Sequence, residues 1–272
     1  MVSRTRTTRQ SAVLQSYLTF CEIRRRYRRT GRLEIFADFV FPATLLPLAV
    51  LVAHCKKTVH ASNPAVQGYV DWIMRADAPL VGGTYVPFVR LPEDPKEYLG
   101  VLKHLEDLSK TTQVFSGNKD AYHYLLSELV DNIYEHARAS RAYVMAQRYP
   151  KKELIEASFM DDGMTIPKSL EVGTGTTYPA ARAHEAILDA LNGKSAKGGG
   201  ERGYELRTSV RIVNALDGEV LIVSGRGAVV AGKQGRVSVY SLSSQNELDG
   251  TLVSIQLPYS DKRINLYKLV EE

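Results

Sequence analysis

A chain of 272 residues, 44% hydrophobic and 24% charged, is long enough for one large or two modest globular domains. Its net charge of +5 is uneven: residues 1–32 hold nine Arg and one Glu, whereas the rest holds 26 basic and 29 acidic side chains, a balance of +8 against −3. The two cysteines, Cys21 and Cys55, give no metal or disulfide spacing, which excludes a disulfide-stapled or zinc-stapled scaffold and points to a cytoplasmic protein.

The N-terminus is polar and Arg-rich, with no apolar core and cleavage site behind it, so no signal peptide is expected. Its densest part, EIRRRYRRTGR, suits phosphate contact on nucleic acid or an acidic protein surface, and equally a docked helix with a solvated face. No base-reading motif accompanies that charge. LEIFADFVF reads as a strand, and Pro42 as the first turn of a helix running to about Lys57. The apolar run over 40–54 is too short for a membrane span and contains two prolines, so no membrane partner is expected. TYVPFVRL reads as a strand and EYLGVLKHLEDLSK as a helix that serves as a connector. This alternation predicts a small α/β module over 33–115.

The stretch ELVDNIYEH, 128–136, concentrates chemistry. On a helix Glu128, Asn132 and His136 fall at i, i+4 and i+8 on one face, with Leu126, Leu129, Val130 and Ile133 on the other. Such polar groups are rarely buried without partners, so the face either holds something polar or is solvated. The Asn132 carboxamide oxygen is a hard ligand of the kind Mg2+ accepts beside waters and phosphates, and Glu128 one turn earlier can orient or deprotonate a nucleophile.

Downstream, two strands joined by a turn around Pro150 are expected, the second over 154–160 delivering Asp161, Asp162 and Gly163 into a turn at a sheet edge. A Gly-punctuated stretch over 173–197 ends in Gly198, Gly199 and Gly200. With Gly203 at a helix start and Lys194 and Lys197 alongside, these backbone N–H groups can cradle an anion; the alternative is an ordinary flexible loop. ERGYELRTSVRIVNAL reads as a helix, EVLIVSG and GRVSVYSL as a strand pair, and DGTLVSIQLP as a final strand entered through Gly250 and Thr251.

Taken in order, these segments resemble the GHKL (Bergerat-fold) superfamily, which includes gyrase, MutL, sensor histidine kinases and anti-sigma serine kinases; the resemblance covers roughly 120–258. Glu128 and Asn132 are similar to its N box, which implies Mg2+ on Asn132 and a catalytic base at Glu128. The form E-x-x-x-N-x-x-x-H looks most like the anti-sigma kinase branch. Asp161 and Gly163 resemble the first glycine box, implying a carboxylate that accepts from the adenine amino group, with Ile166 lining the pocket. Gly200, Gly203 and Leu206 resemble the second glycine box, and Gly250 and Thr251 the last. Thr165 and Glu205 stand where those boxes usually have Gly, a departure that bears on nucleotide affinity. The segment over 33–115 loosely resembles STAS-like domains, the substrate fold of the anti-sigma kinases.

The expected fold is therefore α/β (α+β): a two-layer sandwich of the Bergerat type over 116–272, preceded by the 33–115 module and a basic arm over 1–32. The resemblance implies ATP and Mg2+ as ligands. It also implies either hydrolysis or phosphate transfer to a Ser or Thr of a protein partner. The alternative is an ATP-gated interaction module, for protein or nucleic acid, with little turnover. A homodimer is compatible with both. A histidine kinase fits least, because His104 in KHLEDLSK lacks the context of a phosphoacceptor helix.

Overall fold

Strand β5 (Leu154–Asp161) sets the architecture, because its alternating side chains are buried on both faces. Ile155, Ala157 and Phe159 join one apolar layer and Met160 another, as a strand covered on both sides requires. The computed structural model describes residues 11–74, 83–110, 118–137, 139–194, 205–232 and 235–271. In it β5 is the third strand of a seven-stranded sheet built with β3 (Tyr85–Arg90), β4 (Ala142–Tyr149), β6 (Glu219–Gly225), β7 (Gly227–Gly232), β8 (Arg236–Ser241) and β9 (Leu248–Pro258). The order is β3-β4-β5-β9-β6-β7-β8, and every neighbouring pair is antiparallel. The chain is thus a mixed α+β protein.

Four helices cover one face: α4 (Leu99–Lys110), α5 (Lys119–Asn132), α7 (Ala183–Leu191) and α8 (Glu205–Ala215). Their Leu105, Leu125, Leu129, Ile187 and Ile212 share a buried cluster with Val144, Phe159, Ile222 and Ile255 of the sheet. Between β5 and α7 runs α6 (Ile166–Thr174), and α9 (Leu266–Glu271) closes the described chain. Helix on sheet is the pairing expected for the C-terminal part.

The other face is covered as well, so the sandwich has three layers rather than two. Helices α1 (Ala12–Thr30), α2 (Pro42–Cys55) and α3 (Pro64–Ile73), with a parallel ladder of β1 (Leu33–Ile35) and β2 (Val59–Ala61), bury Tyr17, Phe20, Leu45 and Leu48 with Tyr143, Met145, Leu221 and Leu252 of the large sheet. The N-terminal alternation ends with α3. TYVPFVRL becomes β3, an edge strand whose Pro87 falls in a bulge where a missing N–H costs least, and α4 joins the helical layer.

The Arg-rich segment is a helix from Ala12 onward, ended by Gly31 at φ 71 with its N–H on the Tyr27 carbonyl; residues 1–10 lie outside the described residues. Val13, Leu14, Tyr17, Phe20, Cys21 and Ile23 are buried on its inner side. Arg24 is buried too, donating from Nη2 to the carbonyls of Gln245 (3.0 Å) and Glu247 (2.7 Å). Pro42 occupies the first turn of α2 as its fixed φ favours, and the Ala43 N–H in that turn donates to Glu156 Oε1 at 2.9 Å. No helix among the described residues is long and apolar enough to cross a membrane.

Candidate functional site

At one end of the sheet a polar row crosses three strands. Asp161 on β5 pairs with Thr251 on β9, which pairs in turn with Ser224 on β6. Each sits two residues beyond a neighbour buried in, or packed against, the helical layer, namely Phe159, Val253 and Ile222, so alternation places all three side chains on that face. Thr251 Oγ1 and Ser224 Oγ share a hydrogen bond of 2.9 Å, and the Ile166 N–H donates to Ser224 Oγ at 2.8 Å. The serine thereby ties the start of α6 to the sheet.

Gly250 makes the row possible. Its φ is +93°, and a Cβ there would collide with the Asp161 carbonyl oxygen and approach Asp162 Cα at 3.1 Å. Only a residue without a side chain lets β9 approach the end of β5 this closely. Beyond Asp161 the chain turns back at once, with the Gly163 N–H donating to Asp161 Oδ1 at 2.9 Å. Thr165, where a second glycine was expected, has φ −64° and ψ 153°. Nothing in that conformation needs glycine. The residue is the N-cap of α6 and its hydroxyl accepts from the Lys168 N–H at 3.4 Å.

Asp161 is 4% exposed. Burial pushes its carboxyl up to about 7; the Gly163 N–H opposes this, the Asp162 charge adds to it, and the Thr251 backbone opposes it. Asp162 itself is a clamp: its Oδ1 accepts from the N–H groups of Ser140 (2.9 Å) and Arg141 (2.8 Å), and its Oδ2 from Ser140 Oγ (2.8 Å). Those bonds fasten the segment that follows the Glu128 helix to the Asp161 turn.

Helix α5 carries Glu128 and Asn132 one turn apart, both half-buried. The Asn132 amide nitrogen donates to the Glu128 carbonyl at 2.7 Å, which leaves Oδ1 as the end of that side chain with lone pairs to offer. At Ile133 the winding changes to a π turn through Ala137, so the i+8 projection that aligned His136 with Glu128 lapses; the His136 side chain lies outside the described residues. Single π turns are frequent at functional sites. Here the turn is pinned: Tyr98 donates to Asp131 Oδ1 at 2.9 Å and Tyr134 to the Pro92 carbonyl at 2.6 Å. Burial, then the bond to Asp131 and its charge, pushes the Tyr98 phenol up to about 12. Ile133 lies in the helical-layer cluster and Ile166 packs against it, and the π turn that ends α5 contacts α6.

Lys194 is engaged within its own surroundings. Its Nζ lies 2.9 Å from Tyr178 Oη, 3.1 Å from Thr176 Oγ1 and 3.2 Å from Asp189 Oδ2, so the cation expected beside the phosphates is neutralised by a carboxylate. Lys197, Gly198, Gly199, Gly200 and Gly203 lie outside the described residues. Leu206, half-buried on α8, packs against the helical-layer cluster. The Glu205 side chain also lies outside the described residues.

Sequence reading passed over Ser224 and gave Asp162 no role of its own. Ser224 had a signal in the polar residue closing the apolar run EVLIVSG, and Asp162 was masked by its neighbour. Among the described residues no group of three or more His, Cys, Asp or Glu could hold a metal ion. No protein-family model matches this chain, and no curated protein matches it in sequence.

Proposed function

We propose that the chain binds ATP with Mg2+ in the angle between the Asp161 turn and the end of α5, and uses it in the cytoplasm as a regulatory ATPase or protein Ser/Thr kinase. The buried Asp161 carboxyl carries this reading. It sits at the end of a strand, held by Gly163, with Thr251 and Ser224 in line and a glycine where only glycine fits, and so offers a fixed acceptor to the amino group of adenine. Ile166 supplies an apolar wall. Asn132 Oδ1 would hold Mg2+, which supplies charge neutralisation at the phosphates. Glu128 would orient the attacking water or hydroxyl. Gly198, Gly199, Gly200 and Gly203 would close over the phosphates.

One observation favours a second reading. With Lys194 held by Asp189 and Tyr178, the described part of the lid brings no uncommitted ammonium to the phosphates, which suits an ATP-gated interaction module better than fast turnover.

Calorimetric titration with ATP and GTP, with and without Mg2+, followed by phosphate release, tests both. Glu128→Ala is expected to bind ATP and lose turnover, whereas Asn132→Ala loses the Mg2+ dependence of binding. Equal affinity for ATP and GTP would refute the adenine assignment, and ATP binding without phosphate release or transfer by the wild-type chain would leave the gated module.

A further inference from the structure

The arginines from Arg25 to Arg32 have an address on the surface. The buried side of α1 takes only Arg24, whereas Arg25, Arg28, Arg29 and, past the Gly31 turn, Arg32 are exposed. Exposed Lys56 and Lys57 follow the C-terminus of α2, and exposed His60 stands on β2. Between them opens a cleft of about 470 Å3 whose lining includes Arg32, Glu34, Lys57, Thr58 and His60. Leu33 and Ile35 point inward from β1, so alternation puts Arg32, Glu34 and Phe36 on its outward side. Phe36 is 57% exposed, and the Arg26 guanidinium lies 4.2 Å from its ring centroid. A basic concave strip thus ends at an aromatic ring backed by a cation.

We propose that this strip binds single-stranded nucleic acid, with successive phosphates on Arg28, Arg29, Arg32 and Lys57 and a base stacked on the Phe36 ring. A basic groove beside an exposed ring is the combination that holds unpaired strands without reading their sequence. Glu34, the carboxylate of the cleft, faces His60 across the β1–β2 ladder and is outnumbered by the cations around it. A duplex would have no unstacked base to offer Phe36. An anionic bilayer is too flat to enter the cleft, and the exposed Phe39 ring is engaged with Phe41, Tyr149 and the Lys152 ammonium. The strip belongs to the layer opposite the Asp161 row, so it stands or falls independently of ATP binding.

The test is fluorescence anisotropy of the full chain with a labelled oligothymidylate about twenty nucleotides long, a duplex of equal length and, by co-sedimentation, vesicles containing phosphatidylserine. The single strand is expected to bind, with an affinity that falls as salt rises from about 50 mM. Replacing Arg28, Arg29 and Arg32 together by Gln should make the log-log salt slope shallower by about 2, at about 0.7 per single-strand phosphate. Phe36→Ala should weaken the single strand about tenfold and leave the slope and the duplex unchanged, with Phe36→Trp retaining affinity, since stacking accepts either ring. Thermal melts of the variants separate loss of binding from loss of fold. No binding of oligothymidylate at about 50 mM salt, a silent Phe36→Ala, or sedimentation with vesicles by a chain that ignores the oligonucleotide would each overturn the proposal.

Discussion

Glu156 offers the sharpest test of how the N-terminal layer is joined to the sheet. Its side chain is completely buried on the face under α2, where it accepts from the Ala43 N–H (2.9 Å), Ser254 Oγ (3.2 Å) and Gln256 Nε2 (2.6 Å). Three donors do not offset the loss of water, and burial pushes the carboxyl from the ordinary 4.5 up to about 7. The folded group therefore holds its proton more tightly than the unfolded one. Its contribution to stability is fully present below 4.5, declines as the pH rises from 4.5 to 7, and is gone above that. At 1.36 kcal/mol per pH unit, the decline approaches about 3 kcal/mol, a large share of a typical domain's stability. Glu156→Gln keeps the shape and removes the titration, with the Gln256 amide turning over to present its oxygen. Urea denaturation followed by circular dichroism at pH 5, 6, 7 and 8 should show the variant losing less stability with rising pH than the wild type. If both chains change in parallel, Glu156 is not the group that titrates and this account of the joint fails.

The C-terminal elements were legible because their patterns are local: a period-two run ending in Asp161 and Gly163, a Gly-Thr entry to β9, and an apolar seam on α5. The large-scale arrangement was not. In LIEASFMD the polar residues alternate with apolar ones, yet Glu156 and Ser158 are buried under a second layer, which no local pattern reports. β7 escaped notice because GAVVAG is short and bounded by glycines, yet Gly227 is there to let the backbone of Ala183 and His184 pass within contact distance. The π turn at Ile133 breaks a helical projection that sequence spacing assumed would continue. Thr165 departs from the motif without backbone strain, because the position has negative φ. Propensity and spacing predict elements; which face is covered, and by what, depends on contacts between residues more than a hundred positions apart, such as Ala43 with Glu156.

Because the raised Asp161 carboxyl must be ionised to accept from adenine without competition from its own proton, ATP affinity should rise with pH and level off above about 7, measured calorimetrically from pH 6 to 8; a pH-independent affinity would count against Asp161 as the acceptor. Gly250→Ala, which places a methyl on the Asp161 carbonyl in a left-handed conformation, should cost roughly 1–3 kcal/mol for the backbone alone and weaken ATP more than any substitution at exposed Asp249, with unchanged affinity as the refuting result. The last prediction concerns removal of residues 1–32. Were that segment a free basic arm, its loss would change charge and little else, but α1 buries six apolar side chains and inserts Arg24 between two carbonyls before β9. At about 1.5–3 kcal/mol for each large apolar side chain, the truncation removes an amount comparable with the whole stability of an ordinary domain, about 5–15 kcal/mol. The truncated chain should therefore fail to fold, seen as loss of a cooperative thermal transition, while substitution of exposed Arg25, Arg28 and Arg29 by Gln should leave the melting temperature nearly unchanged. A truncated chain that still melts cooperatively would mean that the sheet tolerates an uncovered face, and that α1 is held to it far more weakly than its burial implies.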